Sequence, residues 1–382
     1  KVEGAQTRPN PSTLQRRLQM NTNDFKVSRR QFLAMAAAGG ASLALPRAAI
    51  SKAGDHLTML MGSGGPLLAW APHFLAETMG YYKEEGLTLE RIYTRSGPAG
   101  MTALVSGAGN AYYTAPGELL AAAARGQKFK ILMAQSAFNE LYFMVSPSYA
   151  AKHSITGDST PLGQRLSTVK NFKGLRCGVT SPGSITDYCA RQVLAQSGLD
   201  PASDASIVPL QSTSNMIAAM ANGTIDAMVA TPPVTSIAAA RVGAVFFLSV
   251  SKDEISGFKS LAGHLIEARV ADVEQNPDLY AAIVRADTRG LRYVIENKKD
   301  AGEALYKAQF SSTVEPTVWA SVWEQNWSQF KFPYVTRQSL EAWVTMKLVP
   351  GVSDPKALHL DEVLDMRFVD QAVKKIGWKA SA

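Results

Sequence analysis

The sequence predicts an α/β protein of two doubly wound lobes followed by a helical C-terminal tail. Three observations carry that expectation. Short apolar runs alternate with helical patterns from His56 onward, the alternation restarts near Leu175, and after Glu267 the pattern is helical only. A length of 382 residues, 46% apolar and 19% charged, suits two such units, because single cores rarely grow past about 250–300 residues.

His56–Met61 reads as a strand and Gly62–Pro66 as a turn, followed by Leu67, Leu68, Ala71, Phe74, Leu75 and Met79 at helical spacing. Leu87–Tyr93 is a second strand, Pro98–Val105 a helix and Ala111–Thr114 a third strand. Pro116 opens an Ala-rich helix through Ala124, and Phe129–Ala134 is strand again. The polar stretch 146–170 reads as a surface insertion near an inter-lobe crossing. The second unit runs through a strand at Leu175–Thr180, a turn at Ser181–Ser184 and a helix at Ile185–Gln196. Ser206–Leu210, Asn215–Ala221, Ile225–Ala230, a Pro232-Pro233 turn and Val245–Ser249 continue it. After Leu261–Glu267 come helices at Pro277–Asn297, Val318–Phe330 and Gln338–Leu348, expected to pack back on the first lobe. The expected division is an N-terminal extension over 1–53, the first part of lobe 1 over 54–145, lobe 2 over 146–250 and the return to lobe 1 over 251–382.

The net charge of +7 is concentrated at the N-terminus. Residues 1–53 hold nine Lys and Arg and two acids, so the remainder is balanced and offers no bulk field to a phosphate backbone; no nucleic-acid partner is expected. Ser28-Arg29-Arg30-Gln31-Phe32-Leu33 precedes a weak apolar run, Ala34–Ala44, broken by Gly39-Gly40. Paired arginines before such a run resemble a twin-arginine export signal, and Ser51-Lys52-Ala53 offers a cleavage site after Ala53. The run is too short to span a bilayer. Met20 lies where a compact signal would start, so residues 1–19 are left out of the fold, and the expected location is the periplasm, reached by the twin-arginine route.

Ligands of open α/β sheets bind beyond the carboxyl ends of strands. Five loops qualify: Gly62–Pro66 (with Gly64 and Gly65), Ser96-Gly97-Pro98, Thr114-Ala115-Pro116, Thr180–Ser184 (with Ser181, Gly183 and Ser184) and Thr231-Pro232-Pro233. Each is an ordinary turn on its own; five in register across two lobes suggest a site for an anion or polar head. Trp70, Tyr112, Tyr113 and Tyr188 stand where they either stack on a ligand or pack in a core. Trp319, Trp323 and Trp327 recur every four residues and read as a core stripe. Cys177 and Cys189 read as two buried free thiols rather than a disulfide.

Gly178–Ser184 lacks the lysine of a phosphate loop, no Gly-x-Ser-x-Gly elbow occurs, and the five histidines form no metal motif. Binding rather than catalysis is expected, with no cofactor and no metal.

Several runs resemble a known family. Ala71-Pro72-His73-Phe74-Leu75-Ala76 with Gly80-Tyr81-Tyr82-Lys83-Glu84-Glu85-Gly86-Leu87 resembles the start of nitrate/sulfonate/taurine (NMT1/THI5-like) binding proteins. Gly174–Val179, Ser197-Gly198-Leu199-Asp200, Ala221–Ala227 and Asn276-Pro277-Asp278 follow in the same order. The resemblance implies a type II periplasmic-binding-protein fold, two lobes joined by two crossings, acting as a monomer. It implies capture of a small solute for the permease and ATPase subunits of an ABC transporter. A sulfonate, nitrate, aromatic carboxylate or thiamine-precursor-like solute remains open. The alternatives on the same fold are a pyrimidine-precursor synthase, whose Cys-rich motif two isolated cysteines cannot supply, and a ligand-sensing subunit.

Overall fold

A computed structural model describes residues 56–380, so the export signal, its arginine pair and the proposed cleavage site lie outside the described residues. Among the described residues ten strands form two separate five-stranded sheets. In the first, β1 (His56–Met61) lies between β2 (Thr88–Tyr93) and β3 (Ala111–Thr114), both parallel to it. β10 (Leu265–Arg269) is inserted antiparallel between β3 and β4 (Phe129–Ala134). In the second, β6 (Arg176–Val179) pairs parallel with β7 (Ser206–Pro209) and β8 (Ala227–Ala230). There β5 (Tyr142–Val145) is the antiparallel insert, between β8 and β9 (Val245–Ser249). Each sheet therefore receives one strand from the far side of a crossing. This is the type II periplasmic-binding-protein architecture.

β5 sets the boundary between lobes earlier than 145: the chain has joined the second sheet by Tyr142, and the first crossing spans 135–141. The sequence shows an apolar run there but not which sheet it pairs with. The second crossing spans 250–264. The two are tied by Gln135 N–H to His264 C=O (2.7 Å), Asn139 Nδ2 to Ala262 C=O (2.9 Å) and Val250 N–H to Leu141 C=O (3.1 Å). The segment 146–170, expected as a plain insertion, carries helices at Pro147–His153 and Leu162–Leu166. Its Arg165 is buried and ion-paired with Glu254 at the second crossing.

Helices flank both sheets: α1 (Ala71–Thr78), α2 (Gly97–Val105) and α3 (Gly117–Ala123) in lobe 1, and α4 (Ile185–Gln196), α5 (Thr213–Ala221) and α6 (Val234–Val242) in lobe 2. The tail packs on the first sheet's helices and also touches the second lobe, where the Tyr142 hydroxyl donates to Asn326 Oδ1 at 2.9 Å. α7 (Pro277–Glu296) packs on α1 so closely that a Cβ at Gly290 would lie 2.0 Å from the Pro72 carbonyl oxygen. Trp319 and Trp323 are buried and stacked, ring centroids 6.0 Å apart, as the four-residue stripe predicts. Cys177 and Cys189 are free and buried.

Candidate functional site

The carboxyl ends of β1, β2 and β3 share one edge of their sheet, and those of β6, β7 and β8 share one edge of theirs. The loops leaving these edges meet between the lobes. A Cβ at Gly64 would lie 3.7 Å from Ser212 Cβ, and Leu68 N–H donates to Pro232 C=O at 3.2 Å. Two of the expected loops thus reach the opposite lobe, the Gly62–Pro66 loop beside Ser212 after β7 and the Pro232 loop beside Leu68; Ser212 is a residue the sequence reading omitted.

On the first wall, Gly62 N–H donates to Tyr113 C=O (3.0 Å), and a Cβ at Gly62 would lie 2.7 Å from Thr114 Oγ1. Glycine is what lets that turn close over β3. Gly64 is exposed, while Gly65 and Ser96 are half-buried. Thr114 is buried.

On the second wall the polar loop is largely self-satisfied. Ser184 is buried; its hydroxyl donates to Ser181 C=O (2.7 Å) and accepts from Thr180 Oγ1 (2.9 Å) and Asp187 N–H (3.3 Å). It caps α4 rather than facing a solute. Gly183, at φ +76°, gives its N–H to Asp187 Oδ2 at 2.9 Å. Asp187 in turn accepts from Arg191 Nε at 2.8 Å. Of the predicted residues only Ser181 keeps a free donor, and two backbone N–H groups beside it add to it. Ser181 Oγ is buried without a partner. The Ile185 and Thr186 N–H groups lie in the first turn of α4, where no intrahelical acceptor exists. Thr231 is half-buried immediately before Pro232.

The aromatic expectations divide. Trp70 is fully buried, edge-on to Phe74, and donates its Nε1–H to His264 Nδ1 at 3.0 Å. It leaves no face for a solute, because Trp70 stands at the N-cap of α1 with its ring packed among Phe74, Tyr93 and His264. Tyr112 and Tyr113 are likewise core residues; the Tyr113 hydroxyl donates to Asp287 Oδ2 at 2.8 Å. Tyr188 is half-buried, its hydroxyl 3.8 Å from where a Gly183 Cβ would stand. Burial, then the negative charges of Glu118 and Asp187, push its phenol up to about 12, so it stays protonated.

Glu118, in the first turn of α3, is the wall residue that sequence reasoning passed over. Its carboxyl lies against Gly97, where a Cβ would overlap Oε1. Burial raises it to about 7. An acid two residues after Pro116 was visible in the sequence, but acids in first turns are ordinary helix-dipole partners. Among the described residues no group of His, Cys, Asp or Glu is placed to hold a metal ion.

The model of the NMT1-like family matches residues 60–308, spanning both sheets. The chain belongs to that family. By fold it is similar to a Bordetella bronchiseptica protein at 20% identity and TM-score 0.71, covering 85% of this chain and 98% of that one. It is similar to the periplasmic nitrate-binding protein of Synechocystis (16%, TM-score 0.63, 84% and 89% covered). It also resembles the alkanesulfonate-binding protein of Xanthomonas axonopodis bound to MOPS (16%, TM-score 0.60, 80% and 99% covered). Among curated proteins none matches this sequence.

Proposed function

We propose that this member of the NMT1-like family is the periplasmic solute-binding component of an ABC importer, exported by the twin-arginine route. It captures a small solute between its lobes and delivers it to a permease driven by an ATPase. The observation that carries this reading is the convergence of strand-end loops from two separate sheets on one cleft, with only two crossings between the sheets. Lobes connected in this way close by hinging, and a solute that touches both walls favours the closed state over the open one. The names of the nitrate- and alkanesulfonate-binding proteins of the same fold support an anionic head on the solute. Ser181 Oγ and the first-turn N–H groups of α4 would receive it, since the helix end carries partial positive charge.

The test is a thermal-shift screen of the mature protein against nitrate and small sulfonates and carboxylates, followed by native mass spectrometry of every hit. A ligand that binds only the folded state raises the melting temperature by mass action. One solute class should stabilise the protein and be recovered unchanged. No stabilisation by any solute, or chemical conversion of a bound one, would overturn the reading.

A further inference from the structure

The chain passes between the two sheets at 135–141 and 250–264, yet a third segment also bridges the lobes. After α8 (Pro316–Asn326) the tail runs beside the first crossing in the opposite direction. Ala134 N–H, at the end of β4, donates to Pro333 C=O at 2.8 Å, and Ala137 N–H donates to Gln329 C=O at 2.8 Å. The Tyr142 hydroxyl, at the start of β5, donates to Asn326 Oδ1 at 2.9 Å. One strip of tail therefore follows the crossing from the first sheet to the second. Its near end is anchored in lobe 1, where Trp319 and Trp323 of α8 share an apolar core with α1 and α7. The Asn326 amide is fixed by donating from Nδ2 to Val322 C=O at 2.7 Å. The far end rests on lobe 2. Tyr142 packs edge-on against Phe246 of β9, ring centroids 5.0 Å apart, α8 packs on α6, and Arg241 Nη2 donates to Thr313 C=O at 3.2 Å. Tyr142 and Asn326 are both buried, so solvent offers neither an alternative partner.

We propose that the segment Asn326–Pro333 is a strap that favours the closed lobes: the Tyr142–Asn326 bond is made when the two walls touch and parts when lobe 2 swings away. The same conformation holds Leu68 N–H against Pro232 C=O across the cleft at 3.2 Å, so the strap bond and the wall contact are made together. Tyr142 rides on the second sheet while Asn326 is held in lobe 1, and rotation about the crossings separates them. In the open form water satisfies both groups; in the closed form each depends on the other. The strap thereby sets the ratio of closed to open protein from outside the loops of the cleft walls. A ligand that needs the closed form binds in proportion to the population of that form, so the tail tunes affinity without touching the ligand.

Amide hydrogen exchange of the solute-free mature protein tests this without any ligand. Leu68 N–H exchanges when the walls part, whereas Asn110 N–H, bonded to Thr58 C=O at 2.8 Å inside lobe 1, does not follow lobe movement. Tyr142→Phe deprives Asn326 Oδ1 of its donor in the closed form alone. It should speed exchange at Leu68 at least about threefold and leave Asn110 unchanged. Arg241→Ala, on the exposed end of α6, should act in the same sense, and it alone decides if the melting temperature shows that the buried substitution unfolds the protein. Unchanged exchange at Leu68, or equal acceleration at Asn110, would overturn the strap while leaving solute capture, which the thermal-shift screen tests, untouched.

Discussion

Glu140 lies on the first crossing, buried, and ties it to the second. Its Oε1 accepts from Ser251 N–H at 3.3 Å and from the Ser249 hydroxyl at 3.4 Å, while Oε2 has no partner. Burial outweighs those hydrogen bonds and raises its carboxyl from 4.5 to about 7. The folded protein therefore holds this proton at pH values where the unfolded chain has released it. A carboxyl raised on folding destabilises the native state progressively as pH climbs from 4.5 to about 7, and the loss is complete above that. At about 1.4 kcal/mol per pH unit, the gap corresponds to about 3 kcal/mol. Glu140→Gln should remove this contribution. The amide's own unpaired N–H carries a cost of about 1–3 kcal/mol, but that cost does not depend on pH and cancels in the comparison. Urea unfolding of both proteins at about pH 4 and about pH 8 gives a double difference in which the similarly raised Glu118 and Glu267 also cancel. The stability of Glu140→Gln relative to the native protein should improve by about 3 kcal/mol between the two conditions. A relative stability constant to within about 0.5 kcal/mol would refute the assignment of a buried, protonated Glu140.

Further consequences follow from packing. Arg165→Ala leaves Glu254 buried and uncompensated beside the second crossing and should cost about 3–5 kcal/mol in urea unfolding; a loss below about 1 kcal/mol would show the pair to be solvated. Gly290→Ala drives a methyl group into the backbone of α1, 2.0 Å from Pro72 O and 3.1 Å from Ala76 N, and should lower stability by about 1–3 kcal/mol or more, an effect absent if the helices can separate freely. Cys177 and Cys189, whose thiols burial raises, should resist a thiol reagent in the folded protein at about pH 8 and react once urea unfolds it.

Local periodicity made most elements legible: Ala111–Thr114, Phe129–Ala134, Ile185–Gln196 and Val245–Ser249 fall where the apolar pattern places them. Pairing partners were not legible, so β5 was left out and its assignment to the second sheet could not be anticipated. At the candidate site, Gly, Pro and hydroxyl residues after strands mark turns in the sequence because turn formation is a backbone property. The sequence could not show how the hydroxyls of those turns would be used. Ser184 looked available until Thr180, Thr186 and Asp187 were seen around it, and Trp70 looked like a platform until His264, distant in sequence, took its indole N–H. Glu118 gained meaning only when Gly97, from another loop, was placed against its carboxyl.

Closure on a solute is the central claim, and the distance between the lobes tests it most directly. Spin labels on Ser106→Cys and Asn222→Cys would sit on exposed helix ends away from the cleft, one in each lobe, while the buried native thiols stay unlabelled. Pulsed electron–electron resonance would then be recorded with and without the solute that stabilises the protein most in the thermal screen. The account predicts that the solute converts the distribution to one narrow, shorter population, and that Ser181→Ala weakens this conversion. An identical distribution with the solute bound would contradict capture by lobe closure.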